Sequence, residues 1–306
     1  MTMKKGISSY CLSPAMAKGA SIYDVIDFAK GLGCEHIEFV PFYTPFVLEK
    51  EGRVDSEYIE SVRKKCEDVS LEISTYSVNA DLLNPDKEAR EREFARVKLH
   101  IDAAEQLGLH VMRHDVASFR RPFSSNTPEN FEKELPLMVD GIRHLYEYAD
   151  KKGIATTLEN HGFFCNGADR VIRMIQASDC PNLKMTMDVG NFLCVDDDPV
   201  AAVKKCLPYA AIIHFKDFYI RKKDRLPGQT EMFNCNNGSW FETIGGKMLR
   251  GSILGQGDID IPEIVKLIKT SGFDGYLSLE FEGMEECHLG TEISYNMTRA
   301  LFELVK

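Results

Sequence analysis

The sequence contains no apolar run of the ~18 residues that a membrane-spanning helix needs. Its first residues, from Met1 to Ile7, carry lysines but lack the apolar core of a secretory signal. We therefore predict a cytoplasmic protein that does not insert into a membrane.

Positive charge is also scarce. Lysine and arginine total 37 against 47 aspartates and glutamates, which gives a net charge of -10. Because binding of DNA or RNA depends on a basic surface, we expect no nucleic-acid partner.

The 9 cysteines include no Cys-x-x-Cys pair. An odd, scattered set is typical of reduced thiols rather than of a disulfide framework.

A dinucleotide-binding turn of the Gly-x-Gly-x-x-Gly type is missing after the first predicted strand. Its absence disfavours a doubly wound open sheet. The chain instead alternates short β-rich runs with longer amphipathic segments, which is typical of parallel βα units. Strands are predicted at 6–12, 36–42, 71–78, 111–116, 154–159, 183–188, 211–215 and 275–281.

Helix signals separate these strands. Ser21 is a candidate cap for the first helix, and Thr127-Pro128-Glu129 is a cap and first turn of another. The alternation predicts an α/β fold, a single (β/α)8 TIM barrel that forms one domain over residues 1–306. The stretch at about 219–258 is rich in Gly, Asn and Pro and is predicted to be a long loop insertion.

Strands five to eight each end in a side chain that can bind a metal ion. These side chains are Glu159, Asp188, His214 and Glu280. Since the carboxyl ends of barrel strands meet at one face, the four are expected to converge. Three carboxylates buried together need a cation to offset their repulsion. Three oxygen ligands and one nitrogen predict one divalent ion, with Mn²⁺ preferred and Mg²⁺, Co²⁺ or Zn²⁺ as alternatives.

Five motifs give the chain a resemblance to a known family. They are Glu-Asn-His at 159–161, Asp-Val-Gly-Asn at 188–191, His-Phe-Lys-Asp at 214–217, Leu-Gly-Gln-Gly-Asp-Ile-Asp at 254–260 and Gly-Tyr-Leu-Ser-Leu-Glu at 275–280. Across essentially its whole length the chain resembles the xylose isomerase-like TIM barrel superfamily. The resemblance is to its sugar phosphate isomerase/epimerase branch, related to ketose 3-epimerases, inosose dehydratases and C-glycoside deglycosidases. It implies a metal ion held by Glu159, Asp188, His214 and Glu280, with the two glutamates on opposite faces of a sugar.

The resemblance also implies a chemistry. A divalent ion that chelates a carbonyl and the adjacent hydroxyl of a sugar stabilises the enediolate formed when a base removes the alpha proton. Glu159 and Glu280 resemble the pair that takes and returns this proton in epimerisation. We therefore predict a divalent-metal-dependent sugar isomerase or epimerase acting on a keto sugar. His161 is a further candidate catalytic residue, because the dehydratases and deglycosidases share its Glu-x-His pattern; orienting Glu159 is the alternative role.

Two other functions remain open at this stage. A lyase would use the same enolisation for beta-elimination, as an inosose-type dehydratase or a C-glycoside deglycosidase acting on a 3-keto glycoside. Asn191 favours this alternative, because ketose 3-epimerases show Asp-x-x-His where this chain has Asp188 followed by Asn191. A catalytically inactive sugar-binding barrel is the other alternative, and the presence of all four metal-type residues argues against it.

Apolar loops are predicted at the mouth of the barrel. One spans residues 40–47, and the insertion contains Met232, Phe233, Trp240 and Phe241. Such loops suit a sugar substrate with an aromatic appendage, or a partner subunit that closes the site. We expect a small-molecule sugar substrate and either a homo-oligomer or a complex with a small second subunit. The candidate substrate-binding residues are His114, Asn191, Lys216, Arg221 and Trp240.

Overall fold

A closed barrel of parallel strands forms the centre of the protein. The computed structural model describes residues 3–225 and 240–305. The barrel strands are β1 (Lys4–Ser8), β2 (His36–Phe39), β3 (Glu72–Val78), β4 (Val111–His114), β5 (Ala155–Glu159), β6 (Lys184–Asp188), β7 (Ala210–Phe215) and β8 (Tyr276–Leu279). They pair in the order β1-β8-β7-β6-β5-β4-β3-β2, and β2 closes the barrel on β1. The predicted (β/α)8 barrel is confirmed.

Each barrel strand is followed by a helix. The helices are α1 (Ile22–Gly31), α2 (Ser56–Asp68), α3 (Lys87–Gln106), α4 (Pro128–Asp150), α5 (Ala168–Ser178), α6 (Pro199–Cys206), α7 (Ile261–Ser271) and α8 (Cys287–Leu304). A one-turn helix, Ser13–Met16, follows β1 as well. Among the described residues, no helix is both long and apolar enough to cross a membrane.

Helix caps lie where the sequence predicted them. The Ser21 side chain accepts a hydrogen bond from the Asp24 main chain, and the Asp24 carboxylate accepts one from the Ser21 main chain. Thr127 accepts from the main chain of Asn130 at 3.2 Å. Each such cap stabilises its helix by about 1 kcal/mol, so the starts of α1 and α4 are locally encoded.

Several strands are shorter than predicted. The first was predicted to reach Leu12, but β1 ends at Ser8 because residues Ser9–Leu12 form a 3-10 turn. The Ser8 hydroxyl begins this turn by accepting a hydrogen bond from Tyr10 N at 3.2 Å. The last strand, β8, ends at Leu279, so Glu280 lies one residue beyond the barrel wall.

The prediction of a long loop insertion at about 219–258 is wrong for part of that stretch, which forms strands. Asp217–Lys222 pairs antiparallel with Lys247–Ser252, which also pairs with Phe241–Glu242. The sheet buries Phe218, Met248 and Leu249. Because Met248 and Leu249 are adjacent and both buried, the strand shows no simple alternation, and the Gly and Asn content nearby favoured a loop. Met232 and Phe233 lie outside the residues that the structure describes.

Asp217 explains one of the sequence motifs. Its Oδ2 accepts hydrogen bonds from the main chain of Gly255 and Gly257, at 2.9 and 2.8 Å. Its Oδ1 accepts from Phe218 and Ile259, at 2.8 and 3.3 Å. A Cβ at Gly257 would collide with this carboxylate. The 254–260 motif therefore fixes the end of the small sheet against the start of α7.

Candidate active site and metal centre

The four predicted metal ligands converge at the carboxyl end of the barrel. His214 Nδ1 lies 3.5 Å from Glu159 Oε1, 3.5 Å from Glu280 Oε1 and 4.0 Å from Asp188 Oδ2. Ligand atoms that share one ion, with bonds of ~2.1 Å, lie about 3–4 Å apart. Ligand atoms of Glu159, Asp188 and His214 lie within 4.8 Å of one another, as do those of Glu38, His214 and Glu280, so either group could hold a metal ion.

Strand register places these side chains at one height. Asp188 of β6 is paired with His214 of β7. Asn160 fixes Asp188 further, since its amide donates to the Asp188 carbonyl and accepts from the Asp188 N–H, both at 2.8 Å. Asp188 Oδ1 accepts from the main chain of Gly190 and Asn191. Its other oxygen, Oδ2, lies 2.8 Å from Lys216 Nζ and 4.0 Å from His214 Nδ1.

Glu38 is a functional residue that the sequence analysis missed. Its carboxylate oxygens lie 2.9 and 3.1 Å from His214 Nε2, and Ser77 donates a hydrogen bond to it. This contact fixes the ring and leaves Nδ1, which has no hydrogen-bond partner among the described residues. Metal-binding histidines typically have such a carboxylate on the second nitrogen. The sequence signal was a glutamate between two apolar neighbours, Ile37 and Phe39; in the structure all three are fully buried.

Negative charge is in excess around this cluster. In the described part of the chain, six carboxylates face two permanent cations, Arg113 and Lys216. The carboxylates belong to Glu38, Asp115, Glu159, Asp188, Glu280 and Glu282; all are buried except Glu282, which is half-buried. Lys216 Nζ lies 2.8 Å from Asp188, 2.9 Å from Glu280 and 2.9 Å from Glu282.

Shifted pKa values follow from this excess. Burial opposes the charged form of His214, but Glu280, Glu38 and Glu159 outweigh burial and raise its pKa well above 6.5. Burial raises the pKa of Asp188 to about 6; Lys216 counteracts it and Glu159 adds to it. A site that binds protons this strongly favours added positive charge, and the oxygen-rich ligand set suits a hard divalent ion.

Glu159 is held by two partners. Its Oε1 accepts from the Asn191 amide at 3.1 Å, and its Oε2 lies 2.6 Å from Arg113. Burial disfavours its charge, but Arg113 and then His214 outweigh burial and lower the pKa of Glu159 well below its usual range. Arg113 is buried on β4 and was not singled out from the sequence.

His161 is paired with Asp115. Its Nδ1 lies 3.0 Å from Asp115 Oδ2, and 30% of its side chain is exposed. Burial opposes its charge, but Asp115 outweighs burial and raises the pKa of His161. Asp115 Oδ1 in turn accepts from Arg113 at 2.6 Å. Arg113 therefore connects the Glu159 carboxylate to the Asp115–His161 pair.

A cavity of about 310 Å³ opens above this cluster. Glu159, Glu280, Lys216, Arg113 and His161 are among its lining residues. Seven aromatic residues of the described chain also line it: Tyr10, Phe42, Tyr43, Phe119, Phe163, Phe218 and Phe241. The site thus combines a charged floor with aromatic walls, which is typical of pockets for small organic ligands.

The predicted substrate-binding residues divide into two groups. Asn191 and Lys216 line the cavity, whereas His114, Arg221 and Trp240 do not. His114 is fully buried, and its Nδ1 bonds the Asp115 carbonyl at 2.9 Å. Alternation along β4 explains this difference, because it turns Arg113 rather than His114 into the cavity.

The other two lie away from the cavity for their own reasons. Arg221 is an exposed side chain that forms an ion pair with Asp258 at 2.9 Å. Trp240 stacks under Arg250, whose guanidinium lies 5.2 Å from the ring centre. Both residues therefore belong to the small antiparallel sheet and its edge rather than to the cavity lining.

Comparison with known proteins places the chain in a family. The sequence profile described as xylose isomerase-like TIM barrel matches residues 26–300. An inosose dehydratase of Bacillus thuringiensis (strain Al Hakam) is 22% identical over 225 residues, which cover 72% of each chain. Such relatives are enzymes of sugar chemistry.

Solved structures show the same fold. A 3-keto-D-glucoside 4-epimerase from E. coli superposes with a TM-score of 0.69 at 15% identity, covering 98% of this chain and 100% of that one. A xylose isomerase-like TIM barrel protein from Mycobacterium smegmatis, in complex with magnesium, superposes with a TM-score of 0.66 at 19% identity, covering 94% and 92%. The chain belongs to the xylose isomerase-like TIM barrel family.

Proposed function

We propose that the protein is a divalent-metal-dependent sugar isomerase or epimerase that acts on a keto sugar by alpha-proton abstraction. One observation carries the proposal. His214 Nδ1 has no hydrogen-bond partner among the described residues and lies 3.5 Å from both Glu159 and Glu280. The same two glutamates line the cavity where a sugar would bind.

Glu159, Asp188, His214 and Glu280 would hold the ion, which we propose to be Mn²⁺, with Mg²⁺, Co²⁺ or Zn²⁺ as alternatives. When bound, the ion supplies Lewis-acid stabilisation of the negative charge that develops on the sugar oxygens. Glu38 keeps the lone pair of His214 Nδ1 directed at this point by accepting a hydrogen bond from Nε2.

In this proposal the two glutamates act on opposite sides of a sugar ring, and their origin on different strands supports it. Glu159 ends β5 and Glu280 follows β8, and β6 and β7 separate these strands in the barrel wall. One carboxylate takes the alpha proton, and the other returns a proton to the opposite face. Arg113 and Asn191 hold Glu159 in place, and Lys216 holds Glu280.

A second candidate function is beta-elimination, and the Asp115–His161 pair favours it. Elimination needs an acid for the leaving group in addition to the base that removes the alpha proton. His161 lines the cavity with its Nδ1 held by Asp115, so its other nitrogen is available to give that proton. The leaving hydroxyl then departs as water, and the sugar keeps a new double bond. The dehydratase names of the relatives support this candidate.

The aromatic walls support a substrate with an aromatic appendage. Phe42 and Tyr43 are 43% and 54% exposed at the rim of the cavity. A C-glycoside deglycosidase acting on a 3-keto glycoside is the form of the lyase candidate that such walls favour. We further predict that a second copy of the chain or a small second subunit covers this rim. The cytoplasmic location is likewise a prediction.

The function is tested by incubating the Mn²⁺-loaded protein with a panel of keto sugars, with and without aromatic aglycones, in deuterated water. An epimerase is expected to give epimers that carry deuterium at the alpha carbon, as measured by NMR and mass spectrometry. Dehydrated sugar or free aglycone would instead select the lyase. Binding of sugar with no deuterium incorporation from any member of the panel would refute both.

A further inference from the structure

A second cavity lies directly beside the catalytic one. It has a volume of about 530 Å³ and lies between the one-turn helix Ser13–Met16 and the segment that joins β8 to α8. Tyr10, Ser13 and Glu282 line both cavities. Both volumes are in the ~300–1,000 Å³ range of ligand sites, so the pair has room for a ligand larger than one sugar ring.

Glu282 lines both cavities and contacts a residue of the proposed catalytic site. Its Oε1 lies 2.9 Å from Lys216 Nζ, which lies 2.9 Å from the proposed catalytic residue Glu280. Ser13, on the same shared wall, is only 7% exposed, and its hydroxyl has no hydrogen-bond partner among the described residues. A buried hydroxyl without a partner costs about 1–3 kcal/mol, so a ligand that bonds it would gain stability.

The lining of the second cavity is polar and mostly acidic. Glu285 and Glu286 add two carboxylates to that of Glu282, against the cations Lys18 and, when protonated, His288. Glu285 Oε2 is buried and has no hydrogen-bond partner in the described residues. Carboxylates accept hydrogen bonds from hydroxyl groups, whereas they repel phosphate and carboxylate groups.

Three residues at the outer edge of this cavity resemble a metal site, but their polar atoms already form hydrogen bonds with one another. Ligand atoms of Glu286, Cys287 and His288 lie within 4.8 Å of one another. However, Glu286 Oε1 lies 2.8 Å from His288 Nδ1 and accepts from the Cys287 thiol as well. Burial raises the pKa of the Cys287 thiol, which disfavours the thiolate that metals bind. These residues therefore form a wall of the cavity.

We propose that the second cavity is a subsite for a neutral polyhydroxyl unit, such as a second sugar ring, attached to the keto sugar in the catalytic cavity. The proposal rests on the proposed function and narrows its substrate class to keto glycosides rather than sugar phosphates. The attached ring lies past Tyr10 and Glu282, and its hydroxyls bond Ser13 and the carboxylates of the lining.

The test compares two variants and two ligands. Of the two cavities, Ala15 lines the second and not the catalytic one, so Ala15→Trp adds bulk to the lining of the second cavity. Ala17 ends the same helical turn, is exposed and lines neither cavity, so Ala17→Trp is the matched control. Binding to the Mn²⁺-loaded proteins is measured by calorimetry with methyl 3-keto-glucoside, which has one ring, and with a 3-keto disaccharide of glucose, which has two.

The wild type and Ala17→Trp are expected to bind the two-ring ligand about 10-fold more tightly than the one-ring ligand, a difference of ~1.4 kcal/mol. Ala15→Trp is expected to lose this preference and to keep its affinity for the one-ring ligand. Equal affinities of the wild type for the two ligands, or no binding of either, would overturn the subsite. A preference that survives in Ala15→Trp would overturn it as well.

Turnover distinguishes the failure of the proposed function from that of the subsite. If the two-ring ligand binds preferentially but neither ligand exchanges deuterium, the subsite stands and the proposed function fails. Should Ala15→Trp not fold, Lys18→Ala removes one donor from an exposed position on the same wall. It is expected to weaken two-ring binding about 3-fold, the scale of one hydrogen bond, and no change would count against the subsite.

Discussion

Two histidines of the barrel wall are equally buried but have opposite electrostatics. His36 begins β2, is fully buried, and its Nε2 bonds the Leu277 carbonyl at 3.1 Å. Burial lowers its pKa to about 4, with Glu38 acting weakly in the other direction. His214, on β7, is also buried, yet its pKa is raised well above the usual value by Glu280, Glu38 and Glu159 against burial.

The opposite pKa shifts of His36 and His214 distinguish a histidine that only packs in the barrel wall from one in a cluster of charged side chains. Burial alone favours the neutral form of a histidine. His36 bonds one carbonyl through Nε2, and its Nδ1 has no hydrogen-bond partner among the described residues, but no carboxylate cluster faces that nitrogen as it does in His214. A histidine surrounded by carboxylates that repel one another is costly to fold, and such a cluster persists where a bound cation compensates it. We therefore expect substitutions around His214 to affect metal binding and catalysis, and substitutions at His36 to affect stability.

The largest effect is expected from Glu280→Gln and Glu159→Gln. Each removes a proton-transfer group while keeping the shape of the side chain, so kcat for epimer formation should fall by about 10²–10⁴-fold. The measurement is the rate of deuterium incorporation at saturating Mn²⁺ and sugar. Glu292→Gln, on the exposed face of α8, is the matched control and should leave the rate unchanged.

The affinity for Mn²⁺ distinguishes the two proposed roles of these glutamates, metal binding and proton transfer. Calorimetry with Mn²⁺ on the same variants reports how much of the lost rate comes from weaker metal binding. A variant that retains full activity after losing either carboxylate would show that the enolisation mechanism is wrong.

His36 predicts a pH dependence of folding. Its pKa is about 4 in the folded protein, against ~6.5 in the unfolded chain. The unfolded state therefore binds more protons between these values, and stability is complete above pH ~6.5 and lost as the pH falls toward 4. The loss is on the order of 3 kcal/mol, at 1.36 kcal/mol for each pH unit.

Urea denaturation at several pH values measures this loss. His36→Gln keeps a donor for the Leu277 carbonyl but cannot be protonated, so its stability should depend less on pH than that of the wild type. His110→Gln, which changes an exposed histidine before β4, is expected to follow the wild type. If all three proteins show the same pH slope, His36 is not responsible for it.

Glu38→Gln tests whether the carboxylate behind His214 supports metal binding. The amide is a weaker acceptor for His214 Nε2, so the orientation and basicity of the ring should suffer. We expect the affinity for Mn²⁺ to fall by about 10–100-fold, as calorimetry would show. An unchanged affinity, with Glu292→Gln again as the control, would mean that Glu38 only fills space.

Much of the fold was predictable because its signals are local. The caps at Ser21 and Thr127 and the alternation of strands and helices gave the eight βα units. The small sheet after β7 was missed, because its pairing of Tyr219 with Arg250 joins residues far apart in the sequence. No local pattern specifies such a partner.

Site residues were likewise predictable where the signal is local and missed where it depends on distant contacts. Glu159, Asp188, His214 and Glu280 were found because each follows an apolar run in a family motif. Glu38 and Arg113 were missed because their roles arise from contacts between strands, across the barrel from β2 to β7 for Glu38 and between the neighbours β4 and β5 for Arg113. His114 was chosen over Arg113 although neighbours on a strand face opposite sides, so only the register of β4 decides which one lines the cavity.

Asp115→Asn is expected to have the smallest effect and separates the two candidate functions. Asp115 holds His161 at 3.0 Å, and its other oxygen accepts from Arg113. If His161 gives a proton to a leaving group, the variant should slow elimination about 10-fold, at the low end of acid catalysis, and leave deuterium exchange at the alpha carbon near the wild-type rate. If the protein only epimerises its substrate, exchange and product formation should stay within about 3-fold, because Glu159 and Glu280 carry both proton transfers. A parallel loss of exchange and product would contradict both, since it would show that Asp115 acts on Glu159 through Arg113.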